Sequence, residues 1–335
     1  MMVSNRVAFI PTMGADPFMV VAFLNQYERV WCDEVSRLFV LQNSIMTDEI
    51  RDFTKWRIER SPNTVFETRG NALQHGNALF EMFQASTEEY IVLLEDDAFV
   101  MDSGLLDKYF GYVERGEYDF IGQPRGCTNE ILMMRMWEVL KVPDAYRHFA
   151  TFWPCMALGK RSDYLKTSLN FGVFGLPIGA YIKELDWTTP EELRGDTFVW
   201  MSLQLRALGL NILSIPIFQR EGDVGTDWVH FGSLGSLTHS FITDDNDIPL
   251  PFVGMPTAIP NPLSKMNFPD EYAIHRTERK MGVITLFMEK YWDELEFIPE
   301  YRETYKKAID KLIAYWLKPG EVELWARRYK RMLKW

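Results

Sequence analysis

Short apolar runs alternate with longer segments of helical periodicity through the first two thirds of the chain. The runs indicate buried strands, because their apolar residues are consecutive and end at polar or turn-forming residues. Strands are predicted at 6–10, 37–41, 64–67, 90–94, 118–122 and 211–217, and helices at 17–30, 47–60, a segment ending at 83, 105–113, 131–142 and 196–208. Such alternation predicts an α/β fold with a mostly parallel sheet flanked by helices.

Residues 171–194 interrupt this alternation. They are rich in Gly, Pro and aromatic residues and show no clear period. Loops of this length inside a domain are usually lids or binding loops, so we expect such a loop here.

A second departure is the segment 244–272, whose content of Pro, Asp and Asn is typical of a linker. Three further helices are expected near 273–293, 299–316 and 320–334. The predicted organisation is an α/β domain over 1–243, a Pro-rich linker over 244–272 and an all-helical C-terminal region over 273–335.

The composition is that of an ordinary globular protein, with 47% of the 335 residues hydrophobic and 25% charged. No apolar run approaches the ~18 residues that suggest a membrane span, and the first residues lack the pattern of a secretory signal. Cys32, Cys127 and Cys155 are odd in number and far apart, which argues against a disulfide framework or a zinc site. We therefore expect a cytoplasmic protein with no transmembrane segment.

The net charge of −11 is unevenly spread. Residues 276–335 carry 14 Lys and Arg against 10 Asp and Glu, so the excess of acid lies in the rest of the chain. An acidic body needs a cation or a local basic cluster to bind an anionic substrate, and it does not fit broad binding of duplex nucleic acid.

The last predicted helix places Trp325, Tyr329 and Met332 on one face and basic residues around the rest. Three interpretations of this basic–aromatic pattern are open: docking on the main domain, contact with an anionic membrane, or contact with a polyanionic acceptor.

The stretch 90–100 carries the clearest chemical signal. Its apolar run stops at Glu95, Asp96 and Asp97, three adjacent carboxylates that repel one another. Ligands bind at the carboxyl ends of strands in α/β sheets, and Mg²⁺ or Mn²⁺ binds carboxylate and phosphate oxygens. The pattern therefore suggests a metal–diphosphate site, with an acidic turn that faces solvent as the alternative.

The order of motifs from Val7 to about Ser236 resembles the GT-A fold of nucleotide-sugar glycosyltransferases, most closely its inverting, family-2-like members. Leu94–Asp97 is similar to the family's D-x-D metal motif. The resemblance implies a Rossmann-like domain, a divalent cation (Mn or Mg), and a nucleotide-diphosphate sugar, above all a UDP-sugar, as the donor. A sugar would be transferred to an acceptor hydroxyl with inversion, and retention is the alternative because no sequence feature fixes the anomer.

The resemblance also implies which residues contact the donor. These are Pro11, Thr12, Asn43, Arg69, Gly70, Asn71, Asn77, Glu95 and Asp96. The chain departs from the family's pattern in three places: Asn43 replaces an Asp, Gly195 replaces a Glu, and Asn77 lies one residue further along its helix.

The metal ligands implied by the resemblance are Asp97, Glu95 and His230, whereas Asp96 could equally point away from the metal. A hydrogen-bonded core histidine is the alternative for His230, which lies among apolar residues. Asp196, at the start of the predicted helix 196–208, is the implied catalytic base. Its alternative is a helix N-cap, a position where Asp is strongly preferred.

Residues on the acceptor side are predicted from their chemistry. Trp153 and Trp187 could stack on a sugar, and Arg194, like Arg69, could contact the diphosphate, although core packing and solvation are the usual fates of such residues. The acceptor is by default a glycan or a lipid-linked saccharide, and a hydroxylated base in nucleic acid is a further option.

Two other functions remain as alternatives. A sugar-phosphate nucleotidyltransferase has a related sheet but needs a Gly-rich turn with a basic residue after the first strand, and residues 11–16 contain no basic residue. A non-catalytic nucleotide- or carbohydrate-binding protein on the same fold is the other alternative.

Overall fold

A seven-stranded sheet forms the centre of the molecule. The computed structural model describes residues 5–11, 16–42, 48–68, 74–125, 129–215, 228–230 and 271–333. The strands in chain order are β1 (Arg6–Ile10), β2 (Arg37–Gln42), β3 (Thr64–Thr68), β4 (Tyr90–Leu94), β5 (Ala98–Val100), β6 (Phe120–Arg125), β7 (Thr151–Lys160), β8 (Phe174–Leu176), β9 (Tyr181–Ile182), β10 (Trp187–Thr188), β11 (Leu193–Gly195), β12 (Ile212–Ser214) and β13 (Trp228–His230).

The helices surround this sheet and extend beyond it at the C-terminal end. They are α1 (Pro17–Val30), α2 (Asp48–Ile58), α3 (His75–Ala85), α4 (Leu105–Glu114), α5 (Glu130–Val139), α6 (Arg161–Tyr164), α7 (Val199–Ala207), α8 (Glu271–Tyr291), α9 (Pro299–Trp316) and α10 (Pro319–Met332). Among the described residues, no helix is both long and apolar enough to cross a membrane.

The strand order in the central sheet is β12-β6-β7-β4-β1-β2-β3. Only β7 runs antiparallel to its neighbours, β4 and β6, and the other pairs in this sheet are parallel. The predicted fold class, a mostly parallel α/β sheet followed by C-terminal helices, is therefore confirmed.

Both faces of the sheet are buried, which explains why its strands are continuous apolar runs instead of alternating patterns. Val92 and Leu94 of β4 pack on the face that α1 and α4 cover. Ile91 and Leu93 pack on the opposite face, which α3 and α7 cover. Successive side chains of β4 therefore point to opposite faces of the sheet.

Residues 171–194 differ from the expected irregular loop. They contain two small antiparallel sheets, β8 with β11 and β9 with β10. Gly195 lies so close to the ring of Phe174 that an added Cβ would be 2.0 Å from its Cε1 atom. The strand pairs are only two or three residues long, too short to produce a detectable period in the sequence.

The C-terminal helices dock on the α/β domain. One hydrophobic cluster joins Phe18 and Val21 of α1 to Phe287 of α8 and to Trp325 and Tyr329 of α10. This packing supports the docking interpretation of α10, because its aromatic face is buried against α8 instead of facing a membrane. The predicted linker lies outside the described residues up to position 270, and α8 already begins at Glu271.

A buried hydrogen bond ties α9 to the start of α1. The Tyr305 hydroxyl donates to Asp16 Oδ2 at 2.8 Å, while Asp16 Oδ1 accepts from the Phe18 N–H at 2.8 Å and caps α1. Burial and the neighbouring Asp16 raise the pKa of Tyr305, so its hydroxyl stays protonated and remains a donor. The C-terminal helices therefore hold the N-terminus of α1, at the same edge of the sheet as the end of β4.

Replacing Tyr305 by Phe should lower the free energy of unfolding by about 1.5–3 kcal/mol, because a buried hydrogen bond to a charged acceptor is lost. Denaturant unfolding measures the change. The matched control is Tyr301→Phe, which makes the same chemical change one helical turn away, where no hydrogen bond from the hydroxyl is found among the described residues. Equal losses in the two variants would contradict a specific role for the Tyr305–Asp16 hydrogen bond.

Candidate active site

The acidic turn after β4 is brought against a histidine that is distant in the sequence. Strand β13 pairs antiparallel with β5, and this register places His230 opposite Ala98, directly after the turn. His230 Nε2 then lies 3.0 Å from Glu95 Oε2 and 3.3 Å from Asp97 Oδ1. Two carboxylates and one imidazole nitrogen therefore converge at the carboxyl end of the central strand.

Asp96 has different surroundings from its two neighbours. Burial raises its pKa well above the usual range, and the charges of Asp97, Glu95 and Asp16 raise it further. Asp16 caps α1, which covers one face of the sheet, whereas Glu95 contacts His230. Asp96 is therefore near Asp16 on the side of the sheet that α1 covers, because successive side chains of an extended chain point to opposite sides.

Cys155 joins the cluster from the neighbouring strand, β7. The antiparallel register pairs Met156 with Leu94, so Cys155 lies beside the end of β4. One donor atom each from Glu95, Cys155 and His230 lies within 4.8 Å of the others. The pairing of β7 with β4 is a long-range contact, and nothing in the local sequence around Cys155 indicates it.

The imidazole of His230 and the thiol of Cys155 are both deeply buried. Burial raises the pKa of Cys155 to about 11, so the thiol is neutral near pH 7. Burial disfavours a charged imidazole, but the contacts with Cys155 and Asp97 outweigh burial and raise the pKa of His230. Because the thiol is neutral, we attribute this increase mainly to the Asp97 carboxylate.

Asp196 forms a second part of the site, and the alternative that it caps the following helix is wrong. Helix α7 begins at Val199, and its N-cap is Phe198, in the left-handed region with φ 70°. Asp196 instead accepts a hydrogen bond from Arg125 Nη2 through Oδ2 and from the Thr197 N–H, at 2.7 Å, through Oδ1. Its carboxylate is therefore held by a buried arginine and not by the helix.

Arg125 determines the protonation state of Asp196. Burial by itself would raise the pKa of this carboxyl group, but the charge and hydrogen bond of Arg125 outweigh burial and lower it. The Asp196 side chain is still 46% exposed, so the ionised carboxylate can be reached from solvent.

A chain of contacts joins the two parts of the site. The guanidinium of Arg125 stacks over the ring of Trp153 at 3.7 Å, and Trp153 packs edge-on against His230 with 5.5 Å between ring centroids. His230 in turn contacts Glu95. We call Glu95, Asp97, His230, Cys155, Trp153, Arg125 and Asp196 the active-site cluster.

His75, the first residue of α3, lies next to this cluster. Its Nε2 atom is buried and has no hydrogen-bond partner among the described residues. Burial lowers its pKa, while the charges of Glu95, Asp196 and Asp97 act in the opposite direction. The imidazole ring is therefore close enough to interact electrostatically with both the acidic turn and Asp196.

A close approach of two backbones positions the start of α3. A Cβ atom at Gly76 would lie 2.1 Å from Gly172 Cα, so only glycine fits there. Gly76 and His75 are the residues of this segment that the sequence analysis missed. An isolated glycine inside the predicted helical segment that ends at 83 was the available signal.

The remaining predicted residues are spread over several places. Pro11 is buried directly after β1, and Asn77 is exposed in the first turn of α3. Thr12, Asn43, Arg69, Gly70 and Asn71 lie outside the described residues. Their roles at the donor remain predictions.

Of the three residues predicted on the acceptor side, only Trp153 is part of the active-site cluster. Trp187 packs in a hydrophobic cluster built around α5 and α7. The Arg194 side chain is 80% exposed and pairs with Glu192 at 2.8 Å. The acceptor roles of Trp187 and Arg194 therefore rest on the sequence analysis alone.

The donor atoms of the acidic turn fit a divalent cation. Two carboxylates and an imidazole are ligands that Mn²⁺ and related ions accept, and their atoms converge within hydrogen-bond distance of one another. A cation there would also offset the repulsion among three neighbouring acids. The residues that would hold it are Glu95, Asp97 and His230.

Neither protein-family models nor curated proteins match this sequence. Several solved structures are similar at low identity. PcManGT, a mannosyltransferase from Pyrobaculum calidifontis in complex with GDP-Man and Mn²⁺, is 13% identical, with 98% of this chain and 84% of that chain covered and a TM-score of 0.41. TarS (residues 1–349) from S. aureus is 10% identical, with 96% and 83% covered and a TM-score of 0.42.

A third similar structure is glucosyl-3-phosphoglycerate synthase from Mycobacterium tuberculosis in complex with UDP. It is 11% identical, with 66% of this chain and 73% of that chain covered and a TM-score of 0.40.

Replacing Arg125 by Met should destabilise the protein by about 1 kcal/mol at pH 7, a modest value because solvent screens the half-exposed Asp196. A carboxyl group with a lowered pKa stabilises the fold above its unfolded pKa, ~3.9, and this contribution disappears as the pH falls through its folded pKa. The difference between wild type and variant should therefore shrink below about pH 4, as urea unfolding across pH would show.

The control for this prediction is Arg194→Met, which removes an exposed arginine two residues from Asp196 and should change stability by less than about 0.5 kcal/mol. A destabilisation by Arg125→Met that stays constant down to pH 2 would mean that the arginine acts through packing on Trp153 and not through Asp196.

Proposed function

We propose that this protein is a metal-dependent glycosyltransferase that moves a sugar from a nucleotide-diphosphate sugar to an acceptor hydroxyl. One observation carries the proposal. A group of metal-ligand side chains and a separate, ionised carboxylate are joined through Arg125 and Trp153 in one connected cluster. Sugar transfer needs these two functions close together: charge neutralisation at the leaving diphosphate and a base at the attacking hydroxyl.

Glu95, Asp97 and His230 are the residues that would hold the cation. A bound Mn²⁺ or Mg²⁺ would offset the negative charge that develops on the departing nucleoside diphosphate. Glu95 and Asp97 lie in the turn after β4 and His230 ends β13, so strand pairing positions them before any ligand arrives.

Asp196 is the base in this proposal. The acceptor oxygen attacks the anomeric carbon, the bond from that carbon to the phosphate oxygen breaks, and the acceptor proton goes to the Asp196 carboxylate. This single displacement inverts the anomeric carbon. Arg125 keeps the carboxylate ionised and oriented, which also makes it a weaker base. Proton transfer therefore follows the attack closely instead of preceding it.

The position of His75 also supports the proposal. An imidazole that senses the charges of Glu95, Asp97 and Asp196 lies close to both functions of the site. Its buried Nε2 atom can bond to an oxygen of the transferred sugar or of the diphosphate.

Donor turnover without an acceptor tests the activity directly. The protein is incubated with a panel of nucleotide-diphosphate sugars and Mn²⁺, and the products are identified. Slow release of nucleoside diphosphate and free sugar supports a glycosyltransferase. Release of a nucleoside triphosphate when pyrophosphate is added supports a nucleotidyltransferase, and tight donor binding without any product supports a binding protein. The last two results would each overturn the proposal.

The acceptor is proposed at the level of a hydroxyl-bearing saccharide, free or linked to a lipid. A hydroxylated base in nucleic acid is the second candidate. Once the donor is known, parallel reactions with each acceptor class and detection of the transferred sugar distinguish the two.

Replacing Asp97 by Asn should weaken Mn²⁺-dependent nucleotide binding by at least ~100-fold, because a ligand of the cation is lost. The fold should be retained, and stability should not fall, because one charge leaves a crowded acidic turn. Calorimetric titration of nucleoside diphosphate with and without Mn²⁺ measures the effect. Full metal-dependent binding in this variant would remove Asp97 from the metal site.

Replacing Asp196 by Asn should reduce kcat by roughly 10²–10⁴-fold while donor affinity changes little, since a general base acts only on the acceptor proton. The control, Asp310→Asn, makes the same change on an exposed residue of α9 and should leave kcat unchanged. Loss of donor affinity together with kcat would instead make Asp196 a donor contact.

A further inference from the structure

Cys155 is the member of the active-site cluster to which the proposed function gives no role. Buried free cysteines usually behave as small apolar residues packed among apolar neighbours. Cys155 is 1% exposed but lies among polar groups: its Sγ atom is 3.0 Å from Gln123 Oε1, and Glu95 and His230 are beside it. Apolar packing therefore does not explain a thiol at this position.

The geometry suits a shared cation. Donor atoms on one four-coordinate cation lie about 3.5 Å apart, given metal–ligand bonds of about 2.0–2.3 Å. His230 Nε2 is 3.0 Å from Glu95 Oε2 and 3.3 Å from Asp97 Oδ1, and the group formed by Cys155, Glu95 and His230 spans no more than 4.8 Å. Only small side-chain movements would bring Cys155, Glu95 and His230 to one ion, and Asp97 contacts the same imidazole nitrogen.

Strand pairing holds the elements that carry these donors. Glu95 and Asp97 follow the central strand, Cys155 lies within the ten-residue β7, and His230 ends β13, which is paired with β5. The site therefore offers a thiol at a fixed place beside two carboxylates and an imidazole.

We propose that Cys155 is a direct ligand of the cation at this site, and that the resulting N/O/S donor set selects a borderline or softer transition-metal ion such as Co²⁺ or Zn²⁺ over Mg²⁺. Thiolate ligands favour softer metals, whereas Mg²⁺ prefers oxygen and keeps its waters. Binding displaces the thiol proton to solvent, and a sulfur–metal bond forms. The inference rests on the proposed function for what the cation does, but the site can be tested without any sugar donor.

The test titrates the metal-free protein with Co²⁺ at constant pH and records the absorption spectrum. A thiolate bound to Co²⁺ gives a charge-transfer band in the near ultraviolet, separate from the weaker visible bands that any bound Co²⁺ shows. The double variant Cys32→Ser/Cys127→Ser, in which Cys155 is the only thiol, should keep the charge-transfer band. The measurement on this double variant tests Cys155 without replacing it.

Cys155→Ser should lose the charge-transfer band, keep the visible bands and bind Co²⁺ and Zn²⁺ roughly 10–100-fold more weakly. Its affinity for Mg²⁺ should change less than ~3-fold, so that the preference for the transition metal falls. Cys155→Ala is a second variant that serves if the serine variant does not fold.

Three results would overturn the inference: visible bands without a charge-transfer band in the wild type, a charge-transfer band that survives in Cys155→Ser, or an unchanged preference for Co²⁺ over Mg²⁺ in that variant. Each leaves the proposed function standing, because Glu95, Asp97 and His230 would still hold a cation. Absence of any bound Co²⁺, Mn²⁺ or Mg²⁺ would overturn both.

Discussion

Electrostatic repulsion at the end of β4 is the constraint on which the rest of the site depends. Two unit charges 4 Å apart interact by about 4 kcal/mol at an effective dielectric constant of 20, a large fraction of the net stability of a domain. Glu95, Asp96 and Asp97 are adjacent; burial raises the pKa of Asp96, and the charges of its two neighbours raise it further. His230 on the paired strand β13 contacts two of these carboxylates and reduces the repulsion between them. The divalent cation proposed for this turn would offset the repulsion further.

Arg125 performs the corresponding task for the second half of the site. Asp196 follows the short strand β11 and is not held by a helix, so its ionised state depends on the guanidinium that ends β6. The same guanidinium stacks on Trp153, which packs on His230. The proposed base and the proposed metal site come from distant parts of the chain, and one guanidinium and one aromatic ring join them.

The C-terminal helices pack against the part of the α/β domain that carries the candidate site. They bury their apolar faces against α1, and the Tyr305–Asp16 hydrogen bond reaches the N-terminus of that helix. Asp16 also contributes to the raised pKa of Asp96. The helices α8, α9 and α10 therefore support the edge of the sheet where the proposed donor site lies.

Local patterns in the sequence determined the α/β class, most helix and strand positions and the acidic turn as a candidate site, because periodicity and an abrupt change of polarity are local properties. The tertiary structure alone decided that β13 pairs with β5, that Cys155 lies beside Glu95, and that Arg125 holds Asp196. It also showed that Phe198, and not Asp196, caps α7. These contacts join residues that are far apart in the sequence, 71 positions in the case of Arg125 and Asp196, or depend on a single left-handed backbone angle. Neither leaves a trace in short-range residue patterns.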